Sequence, residues 1–162
     1  MAKEIERKFL VRNADWQALS TSRTTIRQAY VASMDDRSVR VRIRNDRDAV
    51  LTIKIGVTAR VRDEYEFAIP LADAKELLSS SPGTVIEKTR HTIDHDGFVF
   101  EVDVFEGTYR GLVVAEVEMA DESDDPALPD WIGTEVTEDR RYSNHALAMN
   151  DLSREVCHGL QN

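Results

Sequence analysis

Charged and apolar residues alternate with a period of two along much of this chain, the signature of strands whose successive side chains point to opposite faces. Residues 4 to 11 put Glu4, Glu6 and Lys8 on one face and Ile5, Phe9 and Val11 on the other. Residues 38 to 44 set Arg40, Arg42 and Arg44 against Val39, Val41 and Ile43, and residues 51 to 55 set Thr52 and Lys54 against Leu51, Ile53 and Ile55. Residues 60 to 69 oppose Arg60, Arg62, Glu64 and Glu66 to Val61, Tyr65, Phe67 and Ile69, with Asp63 out of phase and Pro70 closing the run. Lys88 and Arg90 share a face within residues 85 to 93, and Glu101 and Asp103 oppose Phe98, Phe100, Val102 and Val104 within 98 to 105. Between those two runs, Asp96-Gly97 reads as a tight hairpin turn. Residues 111 to 119 set Glu116 and Glu118 against Ala115, Val117 and Met119. With a less regular run at Gln28 to Val31, the count comes to about seven or eight strands.

Helical spacing is sparser. Residues 14 to 19 predict a short helix, and residues 71 to 79, with Leu71, Ala74, Leu77 and Leu78, a better one. A C-terminal helix is expected after an N-cap at Ser143 or Asn144, carrying Leu147, Ala148, Leu152, Val156 and Leu160 on one face. Residues 121 to 130, rich in Asp and holding two Pro, read as an exposed acidic connection. The class is mainly β (α+β), and 162 residues are expected to form one domain, 1–162, around one core.

Composition narrows the function. A net charge of −9 disfavours nucleic acid and anionic membrane as partners, because both would meet a repulsive average field. No run approaches the roughly 20 apolar residues of a membrane span, and the N-terminus lacks the pattern of a leader. The single cysteine, Cys157, has no internal partner for a disulfide, and the histidines lack zinc-site spacing, so a cytoplasmic setting is expected.

The charges themselves come as same-sign doublets at i and i+2. Acidic pairs are Glu4/Glu6, Glu64/Glu66, Glu101/Asp103 and Glu116/Glu118; basic pairs are Arg40/Arg42 and Lys88/Arg90. Members of a doublet lie roughly 7 Å apart on one strand face, close enough to repel unless an opposing strand or a ligand supplies the counter-charge. Closing the sheet brings these rows together across a lumen wide enough, at about eight strands, for side chains and a small ligand. Lys8, Arg44, Lys54 and Arg62 join the basic doublets there. Charges confined this way need partners, and a metal-bound polyphosphate satisfies both signs. Arg and Lys take phosphoryl oxygens, while paired carboxylates take Mg²⁺ or Mn²⁺. The alternative is an antiparallel sandwich whose charged faces are merely solvated and cross-linked by weak surface ion pairs.

The chain also resembles a known family, the CYTH or triphosphate tunnel metalloenzymes. Glu4-Ile5-Glu6-Arg7-Lys8 matches its N-terminal E-x-E-x-K, and the later landmarks follow in the family's order. These are Val39-Arg40-Val41-Arg42, Leu51-Thr52-Ile53-Lys54, Glu64-Tyr65-Glu66, Glu87-Lys88-Thr89-Arg90, Glu101-Val102-Asp103, Ala115-Glu116-Val117-Glu118 and Asp139-Arg140-Arg141-Tyr142-Ser143-Asn144. The resemblance implies an eight-stranded antiparallel closed β-barrel, a triphosphate tunnel with a few flanking helices, and metal-dependent hydrolysis of a phosphoanhydride. It favours inorganic triphosphate as substrate, with class IV adenylate cyclase and thiamine triphosphatase as alternatives. It assigns Glu4, Glu6, Glu116 and Glu118 to metal, and Lys8, Arg40, Arg42, Lys54, Lys88 and Arg90 to phosphates, with Arg62 on the same charged face. Glu64, Glu66, Glu101 and Asp103 stay open between metal binding, water activation and charge balance, and Arg141 matches a late arginine that approaches the phosphate chain.

His91 departs from the family's aromatic residue and by parity points away from Lys88 and Arg90. Trp16 and Trp131 read as packing residues, Tyr30 as an aromatic filler or a hydroxyl near Lys8, and Cys157 as a small half-buried residue. No covalent nucleophile constellation or Walker-type loop is present in the sequence. A non-enzymatic polyphosphate-binding module is the rival of another class. The partner expected under any of these readings is a small polyanion, bound by a monomer or homodimer.

Overall fold

The computed structural model describes residues 2–56, 58 and 60–157. Nine strands form one antiparallel sheet: β1 (Ala2–Val11), β2 (Ser22–Met34), β3 (Arg37–Arg44), β4 (Asp48–Gly56), β5 (Val61–Ile69), β6 (Ile86–His95), β7 (Phe98–Phe105), β8 (Val113–Glu118) and β9 (Ile132–Glu135). The spatial order is β5-β4-β3-β2-β6-β7-β8-β1-β9, and a further β1–β5 pairing closes eight strands into a barrel with β9 as an annex on β1. The closed antiparallel barrel thus replaces the sandwich alternative. Turn chemistry helps set it: Asp96 and Gly97 take φ of 52° and 82° between β6 and β7, and Asn45 and Asp46 both take φ of 52° between β3 and β4, a left-handed region that Asn, Asp and Gly tolerate.

The closing seam lies on β1. Ala2 to Ile5 pair with β5, Glu6 to Leu10 pair with β8, and Phe9 and Val11 pair with β9. Glu6 N donates to Arg60 O at 3.0 Å, and Lys8 O accepts from Val136 N at 2.8 Å. One edge of β1 therefore serves β5 first and the β9 segment next. Arg7, on the outer face, locks β9 in place through a two-pronged pair with Glu135, at 3.0 and 2.7 Å.

Several expectations are corrected in detail. The short run at Gln28 to Val31 is the centre of a 13-residue strand, β2, whose register slips between Tyr30 and Ala32. β9 carries no alternation that marks it in sequence. The first short helix is a 3-10 turn over Asp15–Leu19, and the second is α1 (Leu71–Ser80), which opens behind Pro70 and packs Ala74 and Leu78 against Ala29, Val41, Ile43 and Ala49. The single C-terminal helix is instead two short ones, α2 (Asn144–Met149) and α3 (Ser153–Val156). Ser143 does cap α2, its side chain accepting from Ala146 N at 3.0 Å. Leu160 lies outside the described residues.

The break between α2 and α3 has a cause. The buried Tyr109 hydroxyl shares its proton between the carbonyls of Leu147 and Asn150, the latter at 2.6 Å, and accepts from Leu152 N at 3.2 Å. A side chain thus satisfies groups that a continuous helix would satisfy internally. On the same side, Thr84 N donates to Ala148 O at 2.7 Å. Gly83 makes room with φ of 77°, since a Cβ there would stand 2.3 Å from that carbonyl oxygen. These contacts press α2 and α3 onto an apolar cluster that includes Leu10, Tyr30, Ile86, Phe105 and Val114. All five have the strand parity of the charged rows, so this cluster plugs part of the lumen with hydrocarbon. Tyr30 is accordingly a filler, with the His145 ring edge-on at 5.3 Å. Trp16 and Trp131 pack in a second cluster with Phe9, Phe100 and Val117. Half-buried Cys157 follows α3 and packs on the first cluster. Among the described residues, no helix is long and apolar enough to cross a membrane.

Replacing Tyr109 with Phe removes the clamp and strands buried carbonyls. Urea denaturation should show a loss of about 1–3 kcal/mol.

Candidate active site

Residues paired in register share a face of the sheet, so the alternation of each strand is copied to its neighbour around the barrel. Lys8 stands opposite Glu116, Glu6 opposite Glu118 and Glu4 opposite Arg62. Lys54 faces Glu64, Thr52 faces both Arg40 and Glu66, Arg90 faces Asp103, and Glu101 faces Glu116. An acidic wall on β1, β7 and β8 and a basic wall on β3, β4 and β6 therefore line one lumen, with β6 and β7 side by side. Within this set Glu66 and Glu118 are exposed, while Arg40, Arg42, Lys88, Asp103 and Glu116 are buried.

The two walls meet in specific pairs. Asp103 takes Lys88 Nζ at 2.7 Å on one oxygen and Arg90 in a two-pronged bond at 2.8 and 2.9 Å. Arg90 also reaches Glu101 at 3.5 Å. Lys54 binds Glu4 at 2.9 and 3.2 Å and lies 3.6 Å from Glu64. Lys8 is 3.6 Å from Glu116 and donates to the Tyr142 carbonyl at 3.1 Å. Glu6 makes no ion pair among the described residues. His91 lies on the outer face, against Trp16 and within 3.2 Å of the Ser20 hydroxyl, the packing role that its parity predicts.

Proton affinities record this uneven pairing. Burial, followed by repulsion from Glu116 and Glu4, pushes Glu6 up to about 8. Glu64 rises to about 7 through burial and a hydrogen bond to Glu4. Glu4 lies below its ordinary value: burial opposes ionisation, but Lys54 and the bond from Glu64 outweigh it. Burial, reinforced by neighbouring acids, raises both Glu101 and Glu118. Burial, then the charges of Arg40 and Arg90, brings Arg42 down to about 9. Burial also works against the Asp103 carboxylate, yet Arg90 and Lys88 together hold it well below the ordinary aspartate range.

The acidic wall suits a hard cation. Its donors are all carboxylate oxygens, and a cation would offset the burial and the repulsion from Glu116 and Glu4 that favour the protonated form of Glu6. Among the described residues no three His, Cys, Asp or Glu side chains converge as a ready-made cage, because Glu4 turns to Lys54 and Glu116 to Lys8. Mg²⁺ needs no such cage, since it keeps several waters and binds through one or two carboxylates plus phosphate oxygens.

A cavity of about 500 Å³ opens onto Glu6, Lys8, Lys54 and Arg62. Its rim comes from residues 34–38 of the β2–β3 hairpin and from the segment after β9, including Thr137, Arg140, Ser143 and His145. Arg141 is turned to Asp139, at 2.6 and 3.0 Å, and its guanidinium lies over the Tyr142 ring; the neighbouring Arg140 lines the cavity instead. Three polar residues that the sequence analysis gave no site role touch the basic rows. Gln28 accepts from Arg42 at 2.8 Å, Asn144 accepts from Lys88 at 3.2 Å, and fully buried Thr52 is 3.5 Å from Arg40. Parity alone puts Gln28 and Thr52 on the lumen face; Asn144 carries no such signal.

Fold and lumen together define a charged-tunnel β-barrel protein. A family model described as the CYTH domain matches residues 2–147. An inorganic triphosphatase of Acetivibrio thermocellus is 44% identical over 151 residues, covering 93% of this chain and 96% of the relative. Another, of Nitrosomonas europaea, is 38% identical over 151 residues, covering 91% and 97%. A solved structure of an inorganic triphosphatase matches with a TM-score of 0.65 at 35% identity, covering 93% of this chain and 97% of that one. The chain belongs to the CYTH-domain family.

Asp103→Asn leaves two buried cations short of their counter-charge and should cost about 3–5 kcal/mol in urea denaturation. Because folding depresses the Asp103 pKa, its contribution is complete above the unfolded value, near 4. Wild-type stability should therefore fall as pH drops below 4, and Asp103→Asn should show a shallower fall.

Proposed function

We propose that this chain is a divalent-metal-dependent triphosphatase that hydrolyses a phosphoanhydride bond of inorganic triphosphate. The observation that carries the reading is the lining of one lumen by both an acidic wall and a basic wall. A receptor for polyanions gains little from the acidic wall, whereas a hydrolase uses both. Relatives named inorganic triphosphatase, aligned over nearly the whole chain, support the same substrate.

In this reading Arg40, Arg42, Lys54, Lys88 and Arg90 hold phosphoryl oxygens and keep the chain in line for attack, with Lys8, Arg62 and Arg140 on the cavity side. Lys54 and Lys88 exchange part of their carboxylate contacts for phosphate oxygens. Glu4 and Glu6, with Glu116 and Glu118 beside them, hold the cation. When bound, Mg²⁺ or Mn²⁺ supplies neutralisation of charge on the phosphoryl oxygens. Glu64, hydrogen-bonded to Glu4, orients the attacking water, and exposed Glu66 serves charge balance at the end of that row. The water oxygen bonds to phosphorus, one bridging P–O bond breaks, and a water proton leaves to carboxylate or solvent, giving orthophosphate and pyrophosphate.

The test supplies tripolyphosphate, ATP and thiamine triphosphate with Mg²⁺ or Mn²⁺, and measures phosphate and cyclic AMP. Phosphate should come chiefly from tripolyphosphate, stop on chelation, and be accompanied by no cyclic AMP. Glu4→Gln should lower kcat by about 100-fold or more with the protein still folded under assay conditions; wild-type turnover in that variant would refute the metal assignment, and tripolyphosphate binding without product would point to a receptor.

A further inference from the structure

Gln28 sits on the lumen face of β2, opposite Arg42 on β3 and Ile86 on β6, and is fully buried. The bond from Arg42 Nε to its side-chain oxygen, at 2.8 Å, fixes the amide. A guanidinium has donors only, so the carbonyl oxygen must be the atom facing Arg42, and Nε2 must point elsewhere. That Nε2 is buried and finds no acceptor among the described residues. Arg40 is the diagonal neighbour across the same strand pair, 4% exposed, and its Nε is buried and unpartnered too.

Buried N–H groups without acceptors are rare and costly, and here diagonal neighbours on one strand pair carry one each. Ile86 and Tyr30 beside them belong to the apolar plug and bring no carboxylate. Asp103, on β7, turns its oxygens to Lys88 and Arg90, and no described residue accepts from either N–H. An acceptor from outside the described residues, a water or a phosphoryl oxygen, would satisfy both. A glutamine also adds donors without adding charge, which suits a place where Arg40 and Arg90 already repel Arg42.

The geometry points to Gln28 as a substrate-binding residue whose Nε2, together with Arg40 Nε, donates to a phosphoryl oxygen of the bound triphosphate. This rests on the triphosphatase reading and adds an uncharged contact to it. Gln28 holds Arg42 with one atom and reads the phosphate with the other.

The two roles separate experimentally. Gln28→Glu keeps an oxygen for Arg42 and removes the amide donors; Gln28→Met removes both at similar volume. In steady-state hydrolysis of tripolyphosphate with Mg²⁺, Gln28→Glu should raise KM on the order of 10-fold or more with a much smaller change in kcat and a denaturation midpoint at or above wild type. Wild-type KM in Gln28→Glu, with loss confined to Gln28→Met, would mean that the residue only holds Arg42 and would overturn the inference. Should Gln28→Glu fail to fold, the wild-type protein answers alone. Its Gln28 side-chain amide protons, assigned by their loss in Gln28→Met, should shift downfield on adding tripolyphosphate without metal, and an unmoved resonance would overturn the inference. Wild-type protein that neither binds nor hydrolyses tripolyphosphate would overturn the triphosphatase reading and this one with it, whereas wild-type turnover with an unmoved KM in Gln28→Glu overturns this one alone.

Discussion

With one oxygen 2.7 Å from Lys88 and both engaged by Arg90, Asp103 anchors a basic wall that would otherwise repel itself. Two cations and a carboxylate are taken out of water together, and such a group is tolerated only when its hydrogen bonds are complete. Asn144 and the Phe105 ring, 5.3 Å from Lys88 Nζ, complete the surroundings of the lysine. The arrangement fixes where the basic wall stands without spending the cations nearer the cavity. Nearer the cavity Lys54 is held by Glu4 and Lys8 lies by Glu116, while Glu6 makes no ion pair among the described residues. The lumen is thus divided into a deeper, fully paired part and a more loosely paired part beside the cavity.

That division explains why charge doublets were readable in the sequence. A two-residue period survives strand pairing unchanged, since register partners face the same way. Once Glu4, Glu6 and Lys8 share a face, Glu116 and Glu118 opposite them share it too, and the rows of β3, β6 and β7 follow. The joining of the walls around one lumen, however, depends on which strands close the barrel, and alternation alone left a solvated sandwich open.

The parts missed are those in which local pattern and tertiary contact disagree. β2 loses its phase at the register slip between Tyr30 and Ala32, so only its middle looked like a strand. β9 is four residues long, with Ile132 as its buried anchor and Arg7 and Glu135 pinning it to β1. Leu147, Ala148, Leu152 and Val156 keep helical spacing across a chain that leaves the helix, because the Tyr109 hydroxyl, 38 positions from Leu147 in sequence, takes the backbone groups at the break. Gln28 and Asn144 are neutral residues in a site recognised by its charges, and neutral residues do not form doublets.

The seam on β1 carries one more consequence, for the order in which the molecule assembles. Glu4 pairs with Arg62, Glu6 with Glu118 and Phe9 with Glu135, so the strand that delivers Glu4 and Glu6 waits for partners far downstream in sequence. Contacts of such separation form late, after the loop-closure entropy has been met. Hairpins such as β3–β4 and β6–β7 can build the basic wall from neighbours alone. Glu4 and Glu6 join only when the barrel shuts, so a chain still open at this seam would have Lys88 and Arg90 already paired with Asp103 but would leave Lys54 without Glu4 and Lys8 without Glu116.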